Sequence, residues 1–272
     1  KEETMKASAG EDLVLLERKD DIATVILNRP EKLNALNKEM WKSIGDIFTS
    51  INADLSIRCV VLRGAGDKAM GPGADISEFE TERSNSKQAA EYGGLMHRSM
   101  HSIRDCCHPV IALIKGLCVG GALELALMCD IRICGSSSRF GIPVNRLGLV
   151  MAYPEIEALV GLVGRSIALE ILYEARVFDA IEAKEKGLVN KVVSDDLVEE
   201  EVYTTAMRIA NGAPLVNRWH KKFTDRVLSS ENAGVPLKQE ELNEGYACFD
   251  SKDFHTGYKA FLAKQKPKFE GR

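Results

Sequence analysis

The 272-residue chain lacks any uncharged apolar stretch approaching the roughly 20 residues that a membrane-spanning helix needs. Its longest apolar runs are interrupted by Lys115, Glu124 and Asp130, so no membrane segment is expected. Positive charge is not in excess either: 36 Lys and Arg stand against 40 Asp and Glu, a net charge of −4. That balance excludes the broad basic field that attracts nucleic acid or anionic membranes, and any anionic partner must be gripped locally. The seven cysteines include no CxxC pair, and Cys59, Cys118, Cys129 and Cys134 fall inside apolar patterns where a thiol packs as a small hydrophobe. A reducing compartment such as the cytoplasm is therefore expected. No HExxH motif accompanies His97 and His101, and Cys106, Cys107 and His108 are neighbours whose side chains point in different directions, so no metal site is expected. No internal repeat of fixed period is present. The opening KEETMKASAGED has no apolar h-region, and residues 1–11 read as a flexible leader outside the fold.

With 45% hydrophobic and 28% charged residues the chain can bury a sizeable core, and its length suits one large α/β domain or a core with a small appendage. Between Leu13 and Leu27 two apolar-rich segments flank Asp20 and Asp21, which predicts a β-hairpin. Pro30 halts the second segment, and Asn37 caps a helix through Ile51 that carries Met40, Trp41, Ile44, Ile47 and Phe48 at helical spacing. The strand RCVVLRG leads into the glycine-rich turn GPGAD, and Asp75 is placed to cap a helix starting near Ile76. The charged ETERSNSK reads as a mobile surface excursion. Residues 88–106 predict a longer helix, PVIALIKG a strand buried on both faces and ended by Gly116, CVGGALELALMCD a glycine turn into an apolar helix, and DIRICG another strand. From about Ala152 the pattern is helical apart from LVNKVV. The expected organisation is an α/β core over 12–200 followed by a helical assembly region over 201–272.

Gly71, Gly73 and Ala74 close one expected strand, and Gly120 and Gly121 close another, each directly before a helix. Such turns point free backbone N–H groups at a ligand, and two of them side by side would make an oxyanion hole. A dinucleotide fingerprint would require GxGxxG after the first strand, whereas GPGADI supplies only the first glycine pair. Taken singly, these glycines need do no more than permit tight turns. Glu124 follows Gly121 by nearly one helical turn and places a carboxylate beside the proposed hole, in an otherwise apolar helix. Burial there raises a carboxyl pKa toward values useful in proton transfer. A structural ion pair with Arg132 or Arg146 is the other reading of the same residue.

The run GADISEF, followed by PVIALIKGLCVGGALELALMCDIRIC and then FGIP, resembles the crotonase (enoyl-CoA hydratase/isomerase) superfamily. NRPEKLNALN near the start and FLAKQKPKFEGR at the end extend the resemblance over nearly all of residues 12–272. It implies an α/β spiral of ββα units with a C-terminal helical trimerisation region. It also implies a homotrimer or a hexamer built from two trimers, and acyl-CoA thioester substrates handled without a further cofactor. Residue by residue, Ala74 and Gly121 match the two N–H donors that hold the thioester oxygen, and Glu124 matches the first catalytic glutamate. Leu33, Asn34, Ala35 and Leu36, with Gly73, Asp75, Ile76 and Gly120, match segments along which CoA lies. The segment from Ser77 to Lys87 is expected to help choose the acyl group, and basic residues near the C-terminus to meet phosphates.

One position departs from the family pattern. In its hydratases a second glutamate follows the proline of a segment like FGxPE, whereas FGIPVN puts Val144 there. A valine moves no proton, and acid–base assistance is typically worth ~10² to 10⁴ in rate. Two repairs are conceivable: Glu155 pointing back from the next helix, or Tyr153 hydrogen-bonding the substrate. The plainer expectations are an exposed helix-start Glu155 favoured by the helix dipole and a Tyr153 packed over the helix start. Reversible hydration of a 2-enoyl-CoA is the expected activity. Malonyl-type decarboxylation and double-bond isomerisation are alternatives on the same scaffold, and a non-catalytic acyl-CoA-binding protein is the alternative of another class.

Overall fold

The computed structural model describes residues 12–228 and 234–272. The expected leader lies outside them. The chain runs through β1 (Val14–Lys19), β2 (Ile22–Leu27), α1 (Lys38–Ala53), β3 (Cys59–Gly64), β4 (Ala69–Gly71), α2 (Phe79–Glu82) and α3 (Ser86–Arg104). It continues through β5 (Val110–Ile114), β6 (Leu117–Val119), α4 (Gly121–Leu127), β7 (Ile131–Gly135), β8 (Arg139–Gly141), α5 (Tyr153–Glu174), β9 (Phe178–Asp179), α6 (Ala180–Glu185) and β10 (Lys191–Val193). Helices α7 (Val198–Ala210), α8 (Pro214–Leu228), α9 (Gln239–Glu244) and α10 (Lys252–Leu262) complete it.

The strands form two sheets, ordered β1-β2-β3-β5-β7-β10 and β4-β6-β8-β9. β1 and β2 pair antiparallel as the expected hairpin, while β2, β3, β5, β7 and β10 run parallel. Each pass of the chain through β3–β4, β5–β6 and β7–β8 lays one strand in the larger sheet and the next in the smaller, then returns by helix. This is the spiral of ββα units. The corner between β5 and β6 depends on Gly116, at φ +60°, where a Cβ would lie 1.9 Å from the Lys68 carbonyl oxygen. Only glycine fits there.

The smaller sheet is absent from the pattern reading of the sequence, which has single strands followed directly by turns. Its strands are two or three residues long, too short to display an alternation. The larger sheet is legible because both of its faces are covered. Val60, Leu62, Val110, Ala112 and Ile114 point into the main core, and the alternate residues Cys59, Val61, Ile111 and Leu113 point at Val198, Val202 and Ala206 of α7. α7 thus packs on the sheet, and residue 200 falls inside it.

α1 begins where expected: the Asn37 side chain accepts from Met40 N at 2.9 Å, and Met40, Trp41, Ile44, Phe48 and Ile51 are buried. The segment 80–87, expected as a mobile surface excursion, lies at the surface where α2 gives way to α3, with Glu82 paired to Lys38 and Asn85 capping α3. Asp75 caps a 3-10 turn over Ile76–Glu78 that runs into α2. Glu78 accepts from Lys38 N at 2.9 Å and from the Tyr92 hydroxyl at 3.0 Å, tying this turn to α1 and α3. Cys106 and His108 are buried, the imidazole Nε2 lies 3.1 Å from Ile51 O, and burial holds the His108 pKa down at about 4.

Candidate active site

A cavity of about 130 Å³ opens where the ends of β4 and β6 meet the segment between β8 and α5. Its lining includes Gly73, Ala74, Gly120, Gly121, Glu124 and Glu155.

The first wall is main chain. Leu36 and Ala74 form an isolated parallel bridge, in which Leu36 N donates to Gly73 O at 2.8 Å and Asp75 N donates to Leu36 O at 2.7 Å. Backbone groups alternate sides along an extended segment, so the N–H of Ala74 faces away from Leu36. Gly120 adopts φ 53°, ψ −129° and donates its own N–H to Gly141 O at 2.9 Å. Gly121 is the first residue of α4, where N–H groups have no partner within the helix. Among the described residues neither Ala74 N nor Gly121 N donates to a protein carbonyl. The two turns converge: a Cβ on Gly121 would sit 3.8 Å from Ala74 N and 3.4 Å from both Leu36 and Trp41. The pair of free amides is what an oxyanion requires.

Glu124 is 7% exposed and lines the same cavity. The ion pair weighed in the sequence does not form. Arg132 is buried and spends its guanidinium on the carbonyls of Leu188, Ala126 and Cys129, and no ion pair joins Glu124 to any described residue. Desolvation, reinforced by the charge of Glu155 and opposed by that of Arg83, pushes the Glu124 carboxyl up to about 8. Arg83 lines the cavity and stacks over the rings of Phe79 and Tyr92, at 4.8 and 4.9 Å.

Val144 also lines the cavity and gives this wall an apolar surface where the family pattern has a carboxylate. Glu155 corrects the plainer expectation. It is 2% exposed, with Oε1 lying 2.9 Å from His97 Nε2 and Oε2 buried without a partner among the described residues. The reason is helical phase: Glu155 and Leu159 share the buried stripe of α5, four residues apart, and Tyr153 is turned outward at 90% exposure. Tyr153 neither packs over the helix start nor lines the cavity.

Among the expected CoA-binding positions, Gly73, Ile76 and Gly120 line the cavity. Leu33, Asn34, Ala35, Leu36 and Asp75 are not among its lining residues. Asn34 accepts from Arg29 N and donates to Ala65 O and Ala69 O, so its amide holds the loop. Asp75 caps Ser77 and pairs with Arg29 at 2.8 Å, and these bonds hold its carboxyl below the usual range. Lining residues that the motif reading did not single out include Trp41, Met96, Leu149 and Met151. Trp41 and Met96 carried the signal of helical apolar spacing, which marks a buried face and does not tell core from cavity.

A sequence model of the enoyl-CoA hydratase/isomerase family matches residues 17–272. The chain belongs to that family. It is 34% identical over 257 residues to a crotonyl-CoA hydratase of Syntrophomonas wolfei, covering 94% of this chain and 97% of the relative. A short-chain-enoyl-CoA hydratase of Clostridium acetobutylicum is 33% identical, with 93% and 95% covered. The crystal structure of an enoyl-CoA hydratase/carnithine racemase from Magnetospirillum magneticum superposes with a TM-score of 0.94 at 49% identity, covering 97% of each chain. As a member of the enoyl-CoA hydratase/isomerase family the chain is an enzyme of acyl-CoA thioesters.

Proposed function

We propose that the protein hydrates a short 2-enoyl-CoA to the 3-hydroxyacyl-CoA. The observation that carries this reading is that Ala74 and Gly121, neighbours whose N–H groups have no acceptor among the described residues, line the same cavity as Glu124. The thioester oxygen accepts from both amides. Polarisation draws electron density from the C2–C3 double bond, water oxygen adds at C3, and the resulting enolate is held in the hole until C2 takes a proton. Each donor is worth about 3 to 4 kcal/mol when its geometry matches the oxyanion. Glu124, carrying its proton at neutral pH, is the donor to C2. The reaction adds one water, changes no oxidation balance overall, and calls on no redox group.

The choice of a short acyl chain follows the similar crotonyl-CoA hydratase and short-chain-enoyl-CoA hydratase. The described residues include no helix long and apolar enough to cross a membrane, and all seven cysteines are free thiols, in keeping with a reducing compartment. α8 to α10 leave Leu228, Tyr246, Phe249, Phe261 and Leu262 exposed at 54–82%. Further copies of the chain would cover this apolar surface in a trimer or a dimer of trimers, and light scattering on the purified protein measures that mass.

The activity test follows loss of the conjugated thioester absorbance of crotonyl-CoA, with product mass as a second readout. Hydration by the wild type and a loss of ~10² to 10⁴-fold in kcat for Glu124→Gln are expected. Decarboxylation of a malonyl-type CoA without hydration, or tight binding of every thioester with no turnover, would replace the proposal with one of its alternatives.

A further inference from the structure

Hydration needs one group to take a proton from water as another delivers one to C2, and Val144 supplies neither. A buried carboxylate is costly unless its oxygens are satisfied, so a purely structural glutamate is expected to have partners on both. Glu155 has one. Its Oε1 faces His97 Nε2 at 2.9 Å, its Oε2 has no partner among the described residues, and its side chain lines the cavity shared with Glu124. The two carboxyl groups are close enough for the charge of Glu155 to weigh on Glu124.

We infer that Glu155 is the second catalytic carboxylate, delivered from the first turn of α5 in place of position 144, and that His97 is its positioning residue. This rests on the hydratase reading above. The imidazole N–H donates to Oε1, which fixes the rotamer and leaves Oε2 to the attacking water. In the forward step Glu155 takes a proton from water as the C3–O bond forms and the C2–C3 π bond opens. The Glu124 O–H bond then breaks as the C2–H bond forms. Transfer of the proton from Glu155 to Glu124, directly or through solvent, restores both groups, and the sum is one water added.

His97 reaches Glu155 from α3, so the second acid group is assembled from two helices distant in sequence. His97 is half-buried, and among the described residues it makes no other hydrogen bond. Its nitrogen is spent on Glu155 alone.

The test uses full-length protein with crotonyl-CoA. Glu155→Gln is expected to lose ~10² to 10⁴-fold in kcat with KM little changed. His97→Gln keeps an N–H donor and should retain most of kcat, whereas His97→Leu should lose kcat more than it raises KM. Val144→Glu in the Glu155→Gln background should recover at least tenfold of the lost kcat by returning a carboxylate to the other side of the cavity. Thermal melts of each variant show that the fold is kept. Wild-type turnover with an undiminished Glu155→Gln overturns the inference and leaves the hydratase reading intact. Equal losses in both His97 variants, tracking lowered melting temperatures, overturn the positioning role. A wild type that hydrates no enoyl-CoA overturns the hydratase reading and this assignment with it.

Discussion

The wall that carries Ala74 and Gly121 is main chain at the ends of buried strands, whereas the facing wall, from Pro143 to Glu155, presents side chains from a loop, a 3-10 turn and a helix start. The first is fixed by backbone hydrogen bonds on both sides: Leu36 to Gly73 and Asp75, Gly120 to Gly141. Changing its side chains leaves the donors in place. The second depends on which residues are there, and there this chain departs from the family pattern, with Val144 for a carboxylate and Glu155 turned inward. The main-chain wall is therefore robust to sequence, and the side-chain wall is open to change.

That contrast can be broken most sharply at the first wall. Gly121→Pro deletes one donor at a helix position that tolerates proline, since an N-terminal helical residue has no intrahelical N–H bond to lose. A drop of ~10² to 10³-fold in kcat with the melting temperature largely kept is expected. An unchanged kcat would show that Gly121 does not meet the oxyanion.

The next effect is on stability, through the buried acid between the walls. The Glu124 carboxyl ionises near 8 in the fold, against an ordinary 4.5. Its contribution is fully favourable below pH 4.5 and is lost as pH rises through 8, because the unfolded chain ionises first. Glu124→Gln should therefore match the wild type near pH 4.5 and be more stable by about 2 to 4 kcal/mol near pH 8, measured by denaturant melts at both pH values. A constant difference would mean the carboxyl is not desolvated.

Activity should fall along the alkaline side as Glu124, facing Glu155 from α5 and Arg83 at the end of α2, loses its proton near pH 8. Arg83→Gln removes the attractive charge, so this limb in kcat/KM should move to higher pH. A shift downward would show that Arg83 acts on another group. The smallest effect belongs to Tyr153→Ser. Only two residues from Glu155 but outside the cavity, it should leave kcat/KM within about twofold, in keeping with the small energies of exposed substitutions.

Legibility followed burial and length. The hairpin, α1 with its Asn37 cap, and the strands β3 and β5 of the larger sheet could be read because a continuous apolar run or helical spacing persists over five or more residues. The smaller sheet could not, since its strands are three residues or fewer and exist by pairing with each other. Glu124 was legible as a lone acid in an apolar helix, and Asn34 as part of a loop motif whose amide turned out to be used up on Arg29, Ala65 and Ala69. Glu155 carried a signal in its spacing from Leu159, but at a helix start an acidic residue satisfies the dipole equally well facing solvent.

By itself the sequence determined the family, the glycine turns that free two amides, and the absence of a proton carrier at position 144, because these are set by residue type and order. Whether Glu124 found an ion pair, whether Glu155 faced in or out, and that His97 would meet it were decided by packing. Each depends on the phase of a helix and on contacts between segments up to 58 residues apart, and local chemistry carries no record of either.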